Sequence, residues 1–272
     1  MFRVVPRIFL HCLILILATS RVVASGAPEL PPEPAREPMS EPAAAAPSAD
    51  TATPPPVEEV TLTPMVARYS AALDKGVALQ GSAVRTLKLQ SDGSWVLQFN
   101  VDSLIADISE RLHFRWDNNT VVPLSYRYEL SGFMIRERKR ELDYDWEKGV
   151  VSGVYEGESF TLELPEGAMD PVGYQLQLRQ DLKAGKTRMQ YLVTDKGSFD
   201  QDEFAVIGEE VLDTRVGRVT AVKLEKVRAP GSKRETLMWF VPEMDYLLVK
   251  LVQVEKDGSR YEINVEEAVL AD

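Results

Sequence analysis

The sequence predicts a mainly β fold: a curved antiparallel sheet, or a half-open barrel or sandwich, with one main helix at about 170–183. Three observations carry this. Short runs in which apolar and polar residues alternate recur, separated by turn signals every 8–12 residues or so. A single segment, beginning at Asp170-Pro171, has helical spacing instead. Strands and helices do not alternate as a parallel α/β sheet requires.

Residues 1–25 read as a secretory signal peptide. Arg3 and Arg7 precede the short apolar run Ile8 to Ala18, and small residues around Ala24 and Ser25 offer a cleavage point. The run is shorter than the roughly 20 apolar residues of a spanning helix, so no transmembrane segment is expected after cleavage. Cys12 does not mark a lipidation signal, because His11 stands where a small residue belongs and the apolar run continues beyond it. Residues 26–62 are rich in Pro, Ala and Glu and lack aromatic residues, the composition of a disordered linker.

Residues 63–270 form one β-rich domain on this reading. Its first half gives Ala67 to Asp74, Val77 to Leu89 with a bulge or bend at Gly81, and the half-buried Trp95 to Val101. Ile108 to Trp116 follows. Thr120 to Leu130 and Ile135 to Tyr144 then make a hairpin around Ser131 to Met134, and Val150 to Tyr155 and Ser159 to Leu164 complete the half. In the helical segment Asp170 is a suitable N-cap, Pro171 a suitable first residue, and Tyr174, Leu178 and Leu182 form one stripe. Four more strands cover Thr187 to Thr194, Glu203 to Val211, Arg218 to Val227 and Arg234 to Val241. In the closing pair, Tyr246 to Glu255 is apolar on both faces, as a covered central strand is. Asp257-Gly258 turns it into Tyr261 to Val265.

With these elements placed, the chain resembles a bacterial family known only as a domain of unknown function, the DUF3108 type, found in Gram-negative envelopes. The residues that carry the resemblance are Tyr126-Arg127-Tyr128, Leu142 to Trp146, the Asp170-Pro171 helix start with Tyr174, Gln177 and Leu178, Val206 to Glu210, and Trp239-Phe240-Val241-Pro242 followed by Tyr246 to Leu251. The resemblance implies an extracytoplasmic β-rich domain and brings no activity with it. The implied shape is similar to the half-barrels that carry lipoproteins across the periplasm.

Charge and composition narrow the function. The 31 basic residues fall to 28 without Arg3, Arg7 and Arg21, against 42 acidic ones, for a net charge of −14 after cleavage. Nucleic acid is therefore not an expected partner. Cys12 is the only cysteine and leaves with the signal, so neither disulfides nor thiol chemistry are expected. His113 is the one histidine of the mature chain, with no Gly-x-Ser-x-Gly elbow to pair with it, and is read as a strand residue. Adjacent carboxylates such as Glu209-Glu210 point to opposite faces of a strand, and the Asp200, Asp202 and Glu203 cluster reads as a solvated loop. No catalytic residue, metal site or cofactor is expected.

One surface stands out as a contact for a partner. Phe133, Met134 and Ile135 sit at a hairpin tip, and Arg136, Arg138 and Arg140 share one face of the following strand. That combination suits an anionic amphiphile or an envelope protein. The expectation is a periplasmic binding or interaction module for a lipid-like or peptide ligand. The alternatives are a scaffold without a small ligand and a carboxylate-dependent envelope hydrolase.

Overall fold

The computed structural model describes residues 60–74, 78–133 and 135–271. The signal-peptide reading and nearly all of the linker lie outside the described residues. The first half of the domain contains β1 (Met65–Asp74), β2 (Ala78–Leu89), β3 (Trp95–Ser103), β4 (Asp107–Asp117), β5 (Thr120–Ser131), β6 (Arg138–Asp145), β7 (Val150–Tyr155) and β8 (Glu158–Glu163). A two-residue strand, β9 (Ala168–Met169), leads into α1 (Gly173–Lys183). The second half contains β10 (Arg188–Asp195), β11 (Ser198–Thr214), β12 (Gly217–Lys226), β13 (Glu235–Val241), β14 (Leu247–Val254) and β15 (Arg260–Leu270).

All the strands belong to one sheet, in the order β8-β7-β6-β5-β4-β3-β2-β1-β15-β14-β13-β12-β11-β10-β9. The order has two ends, so the curved antiparallel sheet that the sequence predicts does not close into a barrel. The first and last strands lie side by side at its middle, where Met65 pairs with Leu270 and Asp74 with Arg260. One pair departs from the antiparallel expectation: β9 runs parallel to β10, with Ala168 opposite Leu192. Two apolar residues carry no periodicity, so nothing in the sequence marks this strand. Gly81 does not make a bulge; the register of β2 with both neighbours runs unbroken through it.

β14 is buried on both faces, as its sequence predicts. Its inner face is the concave core. On the outer side, the far half of the β11–β12 hairpin departs after a register shift at Val206–Gly208 and reaches β15, where Arg215 lies 3.5 Å from Glu266. Trp239, on the outer face of the neighbouring β13, donates its indole N–H to Glu210 Oε2 at 3.0 Å. Its ring lies between the ammonium groups of Lys223 and Lys250, 5.0 and 5.2 Å from the centroid.

The helix departs from expectation twice. It begins at Gly173, with Val172 as N-cap, and not at Asp170-Pro171. Asp170 still caps it from outside: Oδ1 accepts the backbone N–H of Val172 and of Gly173, both at 2.9 Å. The expected single apolar stripe is also incomplete, because Gly173 to Leu182 are buried on every side within the curl of the sheet. A helix buried all round must pair its polar groups. Gln177 Oε1 accepts the Val121 N–H at 2.9 Å, and Asp181 Oδ2 accepts the Tyr191 hydroxyl at 2.6 Å. Gln175 accepts a hydrogen bond from Arg85, and Arg179 donates to Asp245.

Gly173 is required by space. A Cβ there would lie 2.3 Å from Asp170 Oδ2 and 3.0 Å from Leu112 Cδ2. Gly173→Ala is expected to cost about 1–3 kcal/mol, the usual cost of overpacking a core, measured by urea denaturation. Wild-type stability in the variant would show that the helix start is free to shift.

Candidate functional site

The strand registers define two rims. On one, Asp74 pairs with Ala78 and Arg260, Arg260 with Val254, and Val254 with Glu235. The other carries Met65, the β4–β5 turn at Asn118-Asn119, and Asp245. α1 plugs this second rim: Gln177 donates to the Asn119 carbonyl at 3.1 Å, and Arg179 reaches Met65 Sδ at 3.4 Å as well as Asp245. The described chain also enters here, where Asn119 Oδ1 accepts the Val60 N–H at 2.7 Å.

The first rim is open. An apolar pocket of about 60 Å³, partly open to solvent, lies there under the ends of β1 to β4 and β15. Ala71, Leu73, Leu79, Val101, Ile108 and Tyr261 are among its lining residues. The β3–β4 turn beside it presents Leu104, 97% exposed, and the β5–β6 tip presents Phe133, 77% exposed. The two turns touch. A Cβ on Gly132, whose φ is +155°, would lie 2.2 Å from the Ile105 carbonyl oxygen.

Deeper in the concave face, one cross-strand row alternates charge with aromatic rings. Arg85 pairs with Phe99, Phe99 with Glu110, Glu110 with Tyr128, Tyr128 with Arg140, and Arg140 with Tyr155. The Arg140 guanidinium lies 5.4 Å from the Tyr128 centroid and 5.6 Å from that of Tyr155. It forms a buried ion pair with Asp195 of β10, which ties the two arms of the curl together. Burial raises the Asp195 pKa in spite of that partner. Glu110 accepts the Tyr126 hydroxyl at 2.5 Å on Oε1, while its Oε2 has no hydrogen-bond partner. Burial pushes its carboxyl up to about 8, against the lowering effects of the Tyr126 hydrogen bond and of the Arg140 and Arg85 charges. Asp170, also buried, rises to about 6 for the same reason, opposed by the two backbone N–H groups it caps.

The far side of the open rim gathers three cations among carboxylates. Lys226 is buried with Asp202 at 2.6 Å, and Arg234 lies 3.2 Å from Glu255. Arg228 stands between them, half-buried, and donates to the Thr236 hydroxyl at 3.1 Å. Burial lowers the Lys226 ammonium to about 8, and the neighbouring Arg228 and Arg234 charges lower it further against the pull of Asp202.

The sequence-predicted contact surface is divided by the structure. Phe133 is exposed as expected, while Met134 lies outside the described residues. Ile135 is half-buried against the core, and β6 starts only at Arg138, so Arg136 precedes the strand. Arg140 is a correction: it does not share an exposed face with Arg136 and Arg138 but is buried in the Asp195 pair. The Asp200 cluster is corrected as well. It belongs to β11 and is not a solvated loop, and Asp202 is buried on Lys226. His113 lies in β4, with Nε2 2.7 Å from Ser94 Oγ. The Ser94 hydroxyl in turn donates to Asp92 Oδ1 at 2.6 Å. This order places the carboxylate on the serine, whereas a nucleophile needs it on the histidine.

Arg85 and Glu110 escaped the sequence reading, yet both carry a legible signal. Each is a charged residue in an otherwise inward apolar phase, Ala83-Arg85-Leu87 and Ile108-Glu110-Leu112. Among the described residues no group of three or more His, Cys, Asp and Glu is placed to hold a metal ion. No helix there is long and apolar enough to cross a membrane.

The fold is similar to that of the beta-barrel-like protein of domain of unknown function DUF1849 from Brucella abortus, with a TM-score of 0.53 at 14% identity, covering 78% of this chain and 100% of that one. A putative lipoprotein from Parabacteroides distasonis ATCC 8503 is more distant, with a TM-score of 0.28 at 11% identity over 76% of this chain and 96% of that one. The likeness to the Brucella abortus protein is one of fold. No curated protein matches the chain. Residues 79–265 match the family described as "Protein of unknown function (DUF3108)", more than half of the chain, and the chain belongs to that family.

Proposed function

We propose that this protein is an exported, periplasmic binding module that takes an apolar, lipid-like ligand at its open rim, and that it is not an enzyme. The observation that carries the reading is the apolar cavity at the rim opposite the helix plug. Exposed Leu104 and Phe133 flank its mouth, where an entering chain meets apolar surface first. The N-terminal signal pattern supports export. The charged row deeper in the sheet is occupied by its own pairs and serves the fold in this reading.

Native mass spectrometry of the mature protein, purified from its own periplasm, tests it. The expected result is a retained lipid mass that disappears after organic extraction, and binding of dodecyl maltoside by the extracted protein. Val101→Phe, which places a ring in the cavity, is expected to weaken that binding at least tenfold. Absence of both the adduct and detergent binding would overturn the reading.

A further inference from the structure

At the open rim, one cross-strand row runs from the apolar cavity to the cationic cluster. Leu79 pairs with Leu73, Leu73 with Tyr261, Tyr261 with Gln253, and Gln253 with Thr236, whose hydroxyl holds Arg228. Leu79, Leu73 and Tyr261 line the cavity, while Gln253 and Thr236 are buried polar residues. Neighbouring strands lie about 4.8 Å apart. The step from Thr236 to Leu73 is therefore about 14 Å, a span that a dodecyl chain covers.

Three cations meet at the polar end of this row, and their charges oppose one another. The Arg228 guanidinium is lowered by burial and then by Arg234, and Lys226 is lowered by burial and by both arginines. Lys226 has Asp202 and Arg234 has Glu255 within ion-pair distance. Among the described residues Arg228 has no carboxylate within ion-pair distance, although Asp202 and Glu255 lie close enough to favour its charge. Its guanidinium donates to the Thr236 hydroxyl, and among the described residues its buried Nε has no partner. Burial and Arg234 outweigh the two carboxylates, so this half-buried gathering of like charges is unfavourable for the empty protein. An anion placed there removes that cost, and a guanidinium with free donors suits a phosphate or carboxylate.

We infer that the ligand is an anionic single-chain amphiphile, with its phosphate or carboxylate head on Arg228 and its chain in the cavity beneath β1 to β4. This rests on the reading of the open rim as a lipid-like site and adds the charge and position of the head group. The head sits on the β12–β13 side and the tail on the β1–β4 side, so the ligand lies across the mouth along the row.

Calorimetric titration of the extracted, full mature protein tests the inference with three probes: dodecyl phosphate and dodecyl maltoside, each below its micelle concentration, and inorganic phosphate. Dodecyl phosphate is expected to bind about 10–100-fold more tightly than dodecyl maltoside, the range a charge-assisted hydrogen-bonded pair supplies. The preference is expected to shrink with added salt. Arg228→Gln should abolish the preference for dodecyl phosphate and raise the melting temperature of the empty protein, and Arg228→Lys should restore part of the preference. Equal binding of the two detergents in the wild type would overturn the anionic head group and leave the lipid-like site standing. Binding of neither would overturn both. Inorganic phosphate binding as tightly as dodecyl phosphate would overturn the amphiphile in favour of a free-anion site.

Discussion

Arg140→Gln is expected to lower the stability of the domain by about 3–5 kcal/mol, the usual cost of removing one partner of a buried ion pair. Arg140 and Asp195 are both almost wholly enclosed, one on β6 and the other on β10, and they join the two arms of the curled sheet. Without the guanidinium, the Asp195 carboxylate remains in a site whose burial already raises its pKa. Tyr128 and Tyr155 lose the cation between their rings as well. Denaturant unfolding measures the loss. The double variant Arg140→Met with Asp195→Leu should recover most of it, because an apolar pair leaves no charge uncompensated. A single variant within about 1 kcal/mol of wild type, the range of an exposed pair, would show that the two arms are held by other contacts.

Glu110→Gln is expected to stabilise the protein at neutral and mildly alkaline pH. The Glu110 carboxyl has an ordinary pKa of 4.5 and is raised by burial to about 8 in the fold. Between those values the folded state keeps a proton that the unfolded state has released. Wild-type stability therefore falls as pH rises through this window, and levels off above about 8. Fully developed, the interval amounts to at most about 5 kcal/mol. Asp170 contributes in the same direction between 3.8 and about 6. Lys196 and Lys226, lowered to about 8 by burial, titrate above this window. Glutamine keeps an acceptor for the Tyr126 hydroxyl and carries no charge. Urea melts of both proteins at pH 4.5 and pH 8 should give similar stabilities at the lower pH and a clear gain for the variant at the higher one. Parallel pH profiles would show that Glu110 is already solvated in the fold.

The alternation of single strands was legible because one face of each strand meets the core and the other meets water. Tyr261, Ile263 and Val265 are buried as their spacing predicts. The same rule, carried further, places Arg140 on the inward phase with Leu142 and Tyr144. Reading Arg136, Arg138 and Arg140 as an exposed set weighed their charge above their parity, and the buried Asp195 pair reverses that weighting. Glu110 and Arg85 were equally accessible to a parity argument. The plugging of one rim was not. The stripe Tyr174, Leu178 and Leu182 describes one side of α1, while the partners of Gln175, Gln177 and Asp181 come from distant strands.

The sequence by itself determined the β class, the single helix and the two-sided burial of β14, because these follow from local periodicity and turn chemistry. Only the tertiary structure decided which rim α1 closes, which carboxylate each buried cation meets, and that the apolar cavity shares a rim with Arg228. Such matters depend on contacts between residues far apart in the chain. Asp195 reaches Arg140 only because the sheet curls, and Thr236 joins Arg228 to the row of Leu73 only through the registers of β13, β14, β15 and β1. Periodicity specifies the face of a strand on which a side chain lies. Strand order and register specify its neighbour across the sheet, and local sequence carries little of either.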